Sequence, residues 1–100
     1  MANGNDKPSF SKYGKDFQES LCQMILQDRP FADQIMEVLD INFLELRYLR
    51  VFVKKILEYR DEYEVHPTYK IMISIIRAGL EDENVATQQQ LRNYFARIHN

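Results

Sequence analysis

The stretch from Asn42 to Tyr63, NFLELRYLRVFVKKILEYRDEY, is the longest uninterrupted helical pattern in this 100-residue chain. At about 100° per residue, its apolar side chains fall within one broad arc, wider than the stripe of a helix that packs on one side only. These side chains are Leu46, Leu49, Phe52, Val53, Ile56, Leu57, Tyr59 and Tyr63. The stretch therefore predicts a central helix with neighbours on more than one side.

Two shorter helical patterns precede it. Asp16, with Glu19 three positions later, predicts an N-cap with a glutamate that reaches back to it. The core face of this first helix is predicted to consist of Phe17, Leu21, Met24 and Ile25. Pro30 then starts a second short helix, because proline restricts the residue before it and suits the first turn of a helix. The apolar edge of the second helix is predicted to be Phe31, Ile35, Val38 and Leu39.

Two further helices are predicted after the long one. Pro67 ends the long helix beyond Tyr63, and Thr68 caps a fourth helix that Gly79 ends in a left-handed conformation. Thr87, with Gln90 three positions later, has the spacing of a capping box and begins a fifth helix. Because no glycine or proline stops this helix before the last residue, we expect it to be truncated relative to a longer native element.

These patterns together predict the fold class. The sequence has no sustained strand alternation and no Asn-Gly or Asp-Gly dipeptide between two strand-like segments. We therefore expect an all-α protein, a compact orthogonal bundle of about five helices around one long central helix. The helical domain is predicted to span residues 14–100, after a flexible lead at residues 1–13.

The composition excludes several classes of protein. No apolar run approaches the roughly 20 residues of a membrane-spanning helix, and the N-terminus lacks the apolar core of a secretory signal, so a cytoplasmic protein is predicted. The net charge of −2 provides no general attraction to nucleic acid. The single cysteine, Cys22, cannot form an internal disulfide and is predicted to be a small buried core residue.

The residues indicate no catalytic, cofactor or metal site. Neither His66 nor His99 has a second histidine or a cysteine near it, so the spacing of metal ligands is missing. We interpret His66 as a turn residue that bonds to backbone, and His99 as a cation near a helix C-terminus. Gly14-Lys15-Asp16 has an aspartate where a phosphate-binding loop needs a hydroxyl. We therefore predict a chain without catalysis, cofactor or metal.

One surface feature of the long helix is a candidate contact face. Arg47, Arg50 and Lys54 recur at intervals of three and four residues, so they line up opposite the apolar arc. They are able to meet phosphate or an acidic partner, or to form a solvated face balanced by Glu58 and Asp61. Both interpretations stay open.

A few apolar and aromatic residues need a separate assignment. Leu26, Val51 and Ile73 lie off the predicted core faces, either as contacts in an assembly or as residues that the fold itself covers. Tyr59 and Tyr94 are predicted to be core residues, because tyrosine suits amphipathic packing.

The order of helices and apolar anchors over residues 15–98 is similar to a known family. The matching positions are Leu26-Gln27-Asp28 at the end of the first helix, residues 31–35 (FADQI), Val38, Leu39 and Phe43, then Tyr48, Phe52, Ile56 and Tyr59, then His66-Pro67-Thr68 and Gly79. This pattern resembles the N-terminal domain of DnaB-type hexameric replicative helicases, particularly the versions carried by bacteriophages.

The resemblance implies a small helical head that precedes a RecA-like ATPase motor. Such heads pair into dimers, assemble as a trimer of dimers, and contact primase and sometimes a loading protein. The resemblance implies no catalytic residue and no direct binding of nucleic acid, and it places a phage-encoded protein in the host cytoplasm. It therefore indicates a non-catalytic assembly and protein-interaction domain of a replicative helicase.

Two alternative functions stay open. One is a small helical DNA-binding domain that uses Arg47, Arg50 and Lys54 against backbone phosphates. The other is a free-standing adaptor that regulates a helicase.

Overall fold

The computed structural model describes residues 9–98, and within them it contains five α-helices, two 3-10 turns and no strand. The helices are α1 Gly14–Gln27, α2 Arg29–Ile35, α3 Arg47–Tyr63, α4 Tyr69–Ala78 and α5 Val85–Ile98. The 3-10 turns are Ser11–Tyr13, directly before α1, and Ile41–Phe43, between α2 and α3. The predicted all-α class with about five helices is confirmed.

α3 is the helix against which α1, α4 and α5 pack, while α2 packs mainly on α1. α3 also contacts the 3-10 turn that precedes it. Leu49, Phe52, Val53 and Ile56 are fully buried in the hydrophobic core. There the ring of Phe52 meets the ring of Tyr94 edge to face, with centroids 5.3 Å apart. The prediction of a long central helix is confirmed.

The fold also shows how far the side chains that lay off the predicted core faces are buried. Leu26 and Val51 are both buried, and Ile73 is half-buried. Tyr94 is fully buried, as predicted, whereas Tyr59 is only half-buried. The fold itself therefore covers most of the apolar surface in question.

α3 starts later than predicted. Asp40 caps a separate 3-10 turn, because its Oδ1 accepts a hydrogen bond from the Asn42 N–H at 2.9 Å. The backbone is then extended at Leu44, whose side chain is fully buried. This core contact interrupts the helical repeat that looks continuous in the sequence, and the helix begins only at Arg47.

α3 ends where it was predicted to end. Its last residue is Tyr63, and Glu64 adopts the left-handed conformation with φ of 56°. Tyr63 itself is exposed, so its predicted place on the apolar arc is wrong. Gly79 has φ of −134°, so the left-handed conformation predicted for it is also wrong. Its N–H instead continues the helical pattern by donating to the Ile75 carbonyl at 2.9 Å.

Three of the helix starts test the predicted caps. Thr68 caps α4 as predicted, since its side chain accepts from the backbone N–H three residues later. At α5 the cap is Asn84, whose Oδ1 accepts from the Thr87 N–H at 2.7 Å. Thr87 is buried inside α5, and Asp16 lies inside the first turn of α1, so both predicted caps are wrong.

α2 begins near its predicted position and ends earlier. It starts at Arg29, which places Pro30 in its first turn, and the side chain of Asp28 accepts from the Phe31 N–H at 3.0 Å. The helix stops at Ile35. Val38 therefore lies beyond it and is exposed, which makes its predicted place on the apolar edge wrong.

Candidate interaction surfaces

α1 buries a face different from the predicted one. Of the four apolar residues assigned to its core face, only Ile25 is fully buried. The other buried side chains of α1 are Gln18, Glu19, Cys22 and Leu26. Two polar residues thus lie inside the protein, and the predicted core face is wrong by roughly one residue's rotation around the helix.

Gln18 is accommodated in the interior because its amide has partners. Its Oε1 accepts a hydrogen bond from the Glu45 N–H at 2.8 Å, and its Nε2 donates to the Phe10 carbonyl at 3.5 Å. Buried polar groups are tolerated when they are hydrogen-bonded in this way. Gln18 therefore joins α1 to the segments that precede α1 and α3.

Glu19 is the centre of a second polar cluster. Arg97 of α5 binds its carboxylate with two hydrogen bonds, of 2.7 Å to Oε1 and 2.8 Å to Oε2. The Tyr48 hydroxyl of α3 donates to Oε2 at 2.5 Å, and the Tyr94 hydroxyl donates to the Glu19 carbonyl at 2.6 Å. The predicted capping role of Glu19 is wrong, because its carboxylate connects α1 to α3 and α5 instead.

The pKa shifts in this cluster keep Glu19 charged and the two tyrosine hydroxyls protonated, as a structural contact requires. The hydrogen bonds from Arg97 lower the pKa of Glu19 below its ordinary value. Burial raises the pKa of the Tyr48 and Tyr94 hydroxyls. Burial also raises the pKa of the Cys22 thiol, so Cys22 remains protonated and is the small buried core residue that was predicted.

The apolar residues that α1 turns away from the core form a surface of their own. Tyr13 precedes the helix and is 54% exposed, Phe17 is 42% exposed, and Met24 is 45% exposed. Leu21 is half-buried and lies on the same side of the helix. We call Tyr13, Phe17, Leu21 and Met24 the outer face of α1. The outer face is visible in the sequence as a second group of apolar residues on α1, beside the buried Cys22, Ile25 and Leu26.

Aromatic contacts hold the N-terminal end of the outer face in place. The ring of Phe17 lies 5.0 Å from Tyr13 and 5.6 Å from Phe10, centroid to centroid. Phe10 also contacts the ring of Phe43 at 5.7 Å, and its N–H donates to the Phe43 carbonyl at 2.8 Å. Of the predicted flexible lead, residues 1–8 lie outside the described residues.

The predicted cationic stripe has three different environments. Arg47 forms an ion pair with Glu83 at 2.9 Å. Arg50 is half-buried and donates to the carbonyls of Leu44 and Glu45 at 2.8 and 3.0 Å. Lys54 is exposed and has no ion pair within residues 9–98. Two of the three cations are therefore engaged by the chain itself at the start of α3.

A polar cleft of about 380 Å³ lies beside α2 and the end of α3. His66 Nε2 donates to the Leu26 carbonyl at 2.8 Å, which leaves Nδ1 to accept from Arg60 at 2.8 Å. Arg60 also donates to Asp33 at 2.7 Å, and this bond lowers the pKa of Asp33. The interpretation of His66 as a turn residue bonded to backbone is confirmed, and His99 lies outside the described residues.

Two further features are absent from residues 9–98, the part of the chain that the structure describes. No group of three or more His, Cys, Asp or Glu side chains is arranged to hold a metal ion. No helix there is both long and apolar enough to cross a membrane.

Comparison with known proteins identifies no relative of this chain. No protein-family model, no curated protein and no solved structure matches the chain.

Proposed function

We propose that this chain is a non-catalytic assembly and protein-interaction domain of a DnaB-type hexameric replicative helicase, where it supports oligomerisation and the docking of a primase or a helicase loader. The interaction role is carried by one observation, the outer face of α1. There Tyr13, Phe17 and Met24 are each more than two-fifths exposed although their helix has a complete core face elsewhere. The helicase assignment is supported by the order of residues over positions 15–98.

The chemistry of the outer face suits a protein partner. Aromatic and methionine side chains are enriched in the buried parts of protein interfaces. Apolar area that leaves water contributes roughly 25 cal/mol per Å², so a contiguous group of such side chains favours association more than scattered ones do. A helix that is apolar on two sides usually has neighbours on both.

The outer face is also ordered before any partner arrives. The ring of Phe17 is held between Phe10 and Tyr13, and Phe10 is fixed by its hydrogen bond to Phe43. Immobilising a flexible side chain costs about 0.5 to 1.5 kcal/mol on binding, and a preordered ring avoids part of that cost. Phe17 is therefore suited to be an anchor residue of the contact.

The cationic stripe gives less support to the DNA-binding alternative. A phosphate at Arg47 has to compete with the carboxylate of Glu83, and a phosphate at Arg50 has to compete with two backbone carbonyls. Only Lys54 is available without such an exchange. Tight binding to duplex usually needs several phosphate contacts made together.

The test is a measurement of association by analytical ultracentrifugation. The chain is examined alone and with the helicase, primase and loader proteins encoded in its own genome. We expect it to associate with at least one of them or with itself. The double variant Phe17→Ser, Met24→Ser should weaken that association at least about tenfold, because buried aromatic anchors often contribute more than 1 kcal/mol each.

A matched control separates the outer face from general hydrophobicity. Val85 is 80% exposed at the start of α5, and the variant Val85→Ser should leave the association unchanged. Circular dichroism should show the same helix content in all variants. A chain that remains monomeric and binds none of these proteins refutes the proposal, and so does an association that the double variant does not weaken.

A further inference from the structure

An open apolar groove of about 260 Å³ lies between α4 and α5. Ile76 and Phe95 are buried beneath it, and the half-buried Ile73 and exposed Ala96 line its two sides. Tyr69 lies at the N-terminal end of α4, where its ring stacks on Phe95 with centroids 4.3 Å apart. The volume is below the roughly 300 to 1,000 Å³ of a typical small-molecule pocket, so the groove suits side chains that project from another chain.

Two arginines line the same groove. Arg77 lies in the last turn of α4 and Arg92 lies in the middle of α5. Both are exposed, and within residues 9–98 neither has an ion pair or a hydrogen bond from its side chain.

The other five arginines of the chain are all engaged. Arg29 and Arg60 pair with Asp33, Arg47 with Glu83, Arg97 with Glu19, and Arg50 donates to two backbone carbonyls. The two unpaired guanidinium groups therefore coincide with an apolar groove in a chain whose net charge is −2. The favourable effect of a cation at a helix C-terminus accounts for Arg77 but not for Arg92.

We propose that the α4–α5 groove binds an acidic amphipathic helix of a partner protein. Apolar side chains of that helix, spaced three and four residues apart, enter the groove over Ile76 and Phe95. Carboxylates on its flanks meet Arg77 and Arg92, whose planar groups are able to bind a carboxylate with two hydrogen bonds. From residue 69 to residue 77, α4 rises about 12 Å, which is enough to contact two turns of such a helix.

The groove is separate from the outer face of α1, and the proposal does not depend on a role in a helicase. Two other occupants are conceivable on the same chemistry. The acidic turn Glu81-Asp82-Glu83 of a second copy is one, and the phosphates of a nucleic acid are the other. The apolar lining favours a helix over nucleic acid, because phosphate contacts gain nothing from Ile73 or Ile76.

The proposal is tested by fluorescence anisotropy with two labelled helical peptides. Both carry leucines at positions i, i+3, i+4 and i+7, and they differ only in flanking glutamates or flanking lysines. We expect the acidic peptide to bind at least about tenfold more tightly than the basic one. The variant Arg77→Glu, Arg92→Glu should reverse that preference, because the sign of the groove's charge is reversed.

Two single variants complete the test. Ala96→Gln places a larger uncharged side chain at an exposed position in the groove and should weaken binding of the acidic peptide about tenfold. Lys12→Glu makes the same kind of charge change in the 3-10 turn before α1, outside the groove, and should change the affinity less than about twofold.

Several outcomes overturn the proposal. Equal affinity for the two peptides does so, as does acidic-peptide binding that survives Arg77→Glu, Arg92→Glu. A dimer in sedimentation velocity that this double variant abolishes assigns the groove to a second copy of the chain. Steeply salt-dependent binding of duplex DNA that the same variant abolishes assigns it to nucleic acid.

Discussion

The inner face of α1, formed by its buried residues Gln18, Glu19, Cys22, Ile25 and Leu26, differs from the outer face in a way that residue hydrophobicity does not explain. Met24 and Ile25 are neighbours in the chain, yet Met24 is 45% exposed and Ile25 is fully buried. On the same helix Phe17 is exposed while Gln18 and Glu19 are buried. A polar side chain can lie inside when its hydrogen bonds are complete, and an apolar one can lie outside because much of the surface of a folded protein is apolar.

The partners that make this arrangement stable come from distant parts of the chain. Glu19 is bound by Tyr48, 29 residues away, and by Arg97, 78 residues away. Among the described residues, no buried side-chain nitrogen or oxygen lacks a hydrogen-bond partner. The inner face of α1 is thus specified by long-range contacts, and the outer face is what those contacts leave free.

The largest expected effect on stability comes from truncating one of two adjacent side chains, Met24 on the outer face and Ile25 on the inner face. Ile25→Ala should lower the free energy of unfolding by about 2 to 5 kcal/mol, because it leaves a cavity in the core. Met24→Ala should lower it by less than about 1 kcal/mol, since nearly half of that side chain is already in water. Urea denaturation followed by circular dichroism measures both. Equal losses would mean that the two faces are not distinct.

A smaller loss is expected when the Glu19 cluster is broken. Arg97→Met should lower the free energy of unfolding by about 1 to 2 kcal/mol, because it leaves a buried carboxylate without its charged partner. The loss is below that of a fully buried pair, since the Arg97 side chain is 52% exposed and water screens it. Arg29→Met is the control. It removes an exposed pair of 3.7 Å and should change stability by less than about 0.5 kcal/mol.

The same cluster predicts a dependence of stability on pH. The pKa of Glu19 is lower in the folded protein than its ordinary value of 4.5, because Arg97 donates to the carboxylate. The unfolded chain therefore binds more protons in this range, and the stability that Glu19 contributes is present above about pH 4.5 and is lost as the pH falls through the folded-state pKa.

Glu19→Gln isolates this contribution. The difference in unfolding free energy between the wild type and Glu19→Gln should be largest near neutral pH and should shrink as the solution is acidified below about pH 4.5. Asp33 also has a lowered pKa, but it is present in both proteins and cancels in the difference. A difference that does not change with pH would contradict the prediction that the pKa of Glu19 is lower in the folded protein than in the unfolded chain.

Chemical labelling compares the outer face of α1 with the buried core without changing stability. Met24 should be oxidised by dilute peroxide well before Met72, because Met72 is fully buried. Cys22 should react with a thiol reagent only when the protein unfolds, since it is buried and its pKa is raised. Mass spectrometry locates the oxidised methionine. Fast labelling of Cys22 in the native protein would contradict the assigned inner face.

Several features of this fold follow from the sequence because their physical causes are local. Pro30 and Pro67 restrict the backbone next to them, and they mark the approximate places of the breaks after α1 and α3. Thr68 caps α4 through a bond to the residue three positions later, and that spacing is visible in the sequence. The broad apolar arc of α3 likewise predicts that it is central.

Other features needed the tertiary structure because their causes lie far along the chain. α3 begins at Arg47, after buried Leu44 has interrupted the helical pattern, and no local rule shows that Leu44 enters the core. Thr87 has the spacing of a cap, but burial against the core leaves that role to Asn84.

The candidate sites divide in the same way. The sequence predicted Phe17, Leu21 and Met24 to lie with Ile25 on the core face of α1, and only the packed structure shows that the first three face outward. It also identified no role for Arg77 or Arg92, because a groove between two helices exists only once they are packed together. The sequence by itself determined the number of helices and the breaks marked by proline, since hydrogen bonding and backbone restriction act over a few residues. Tertiary structure decided which face of each helix is buried, because burial depends on partners that only folding brings together.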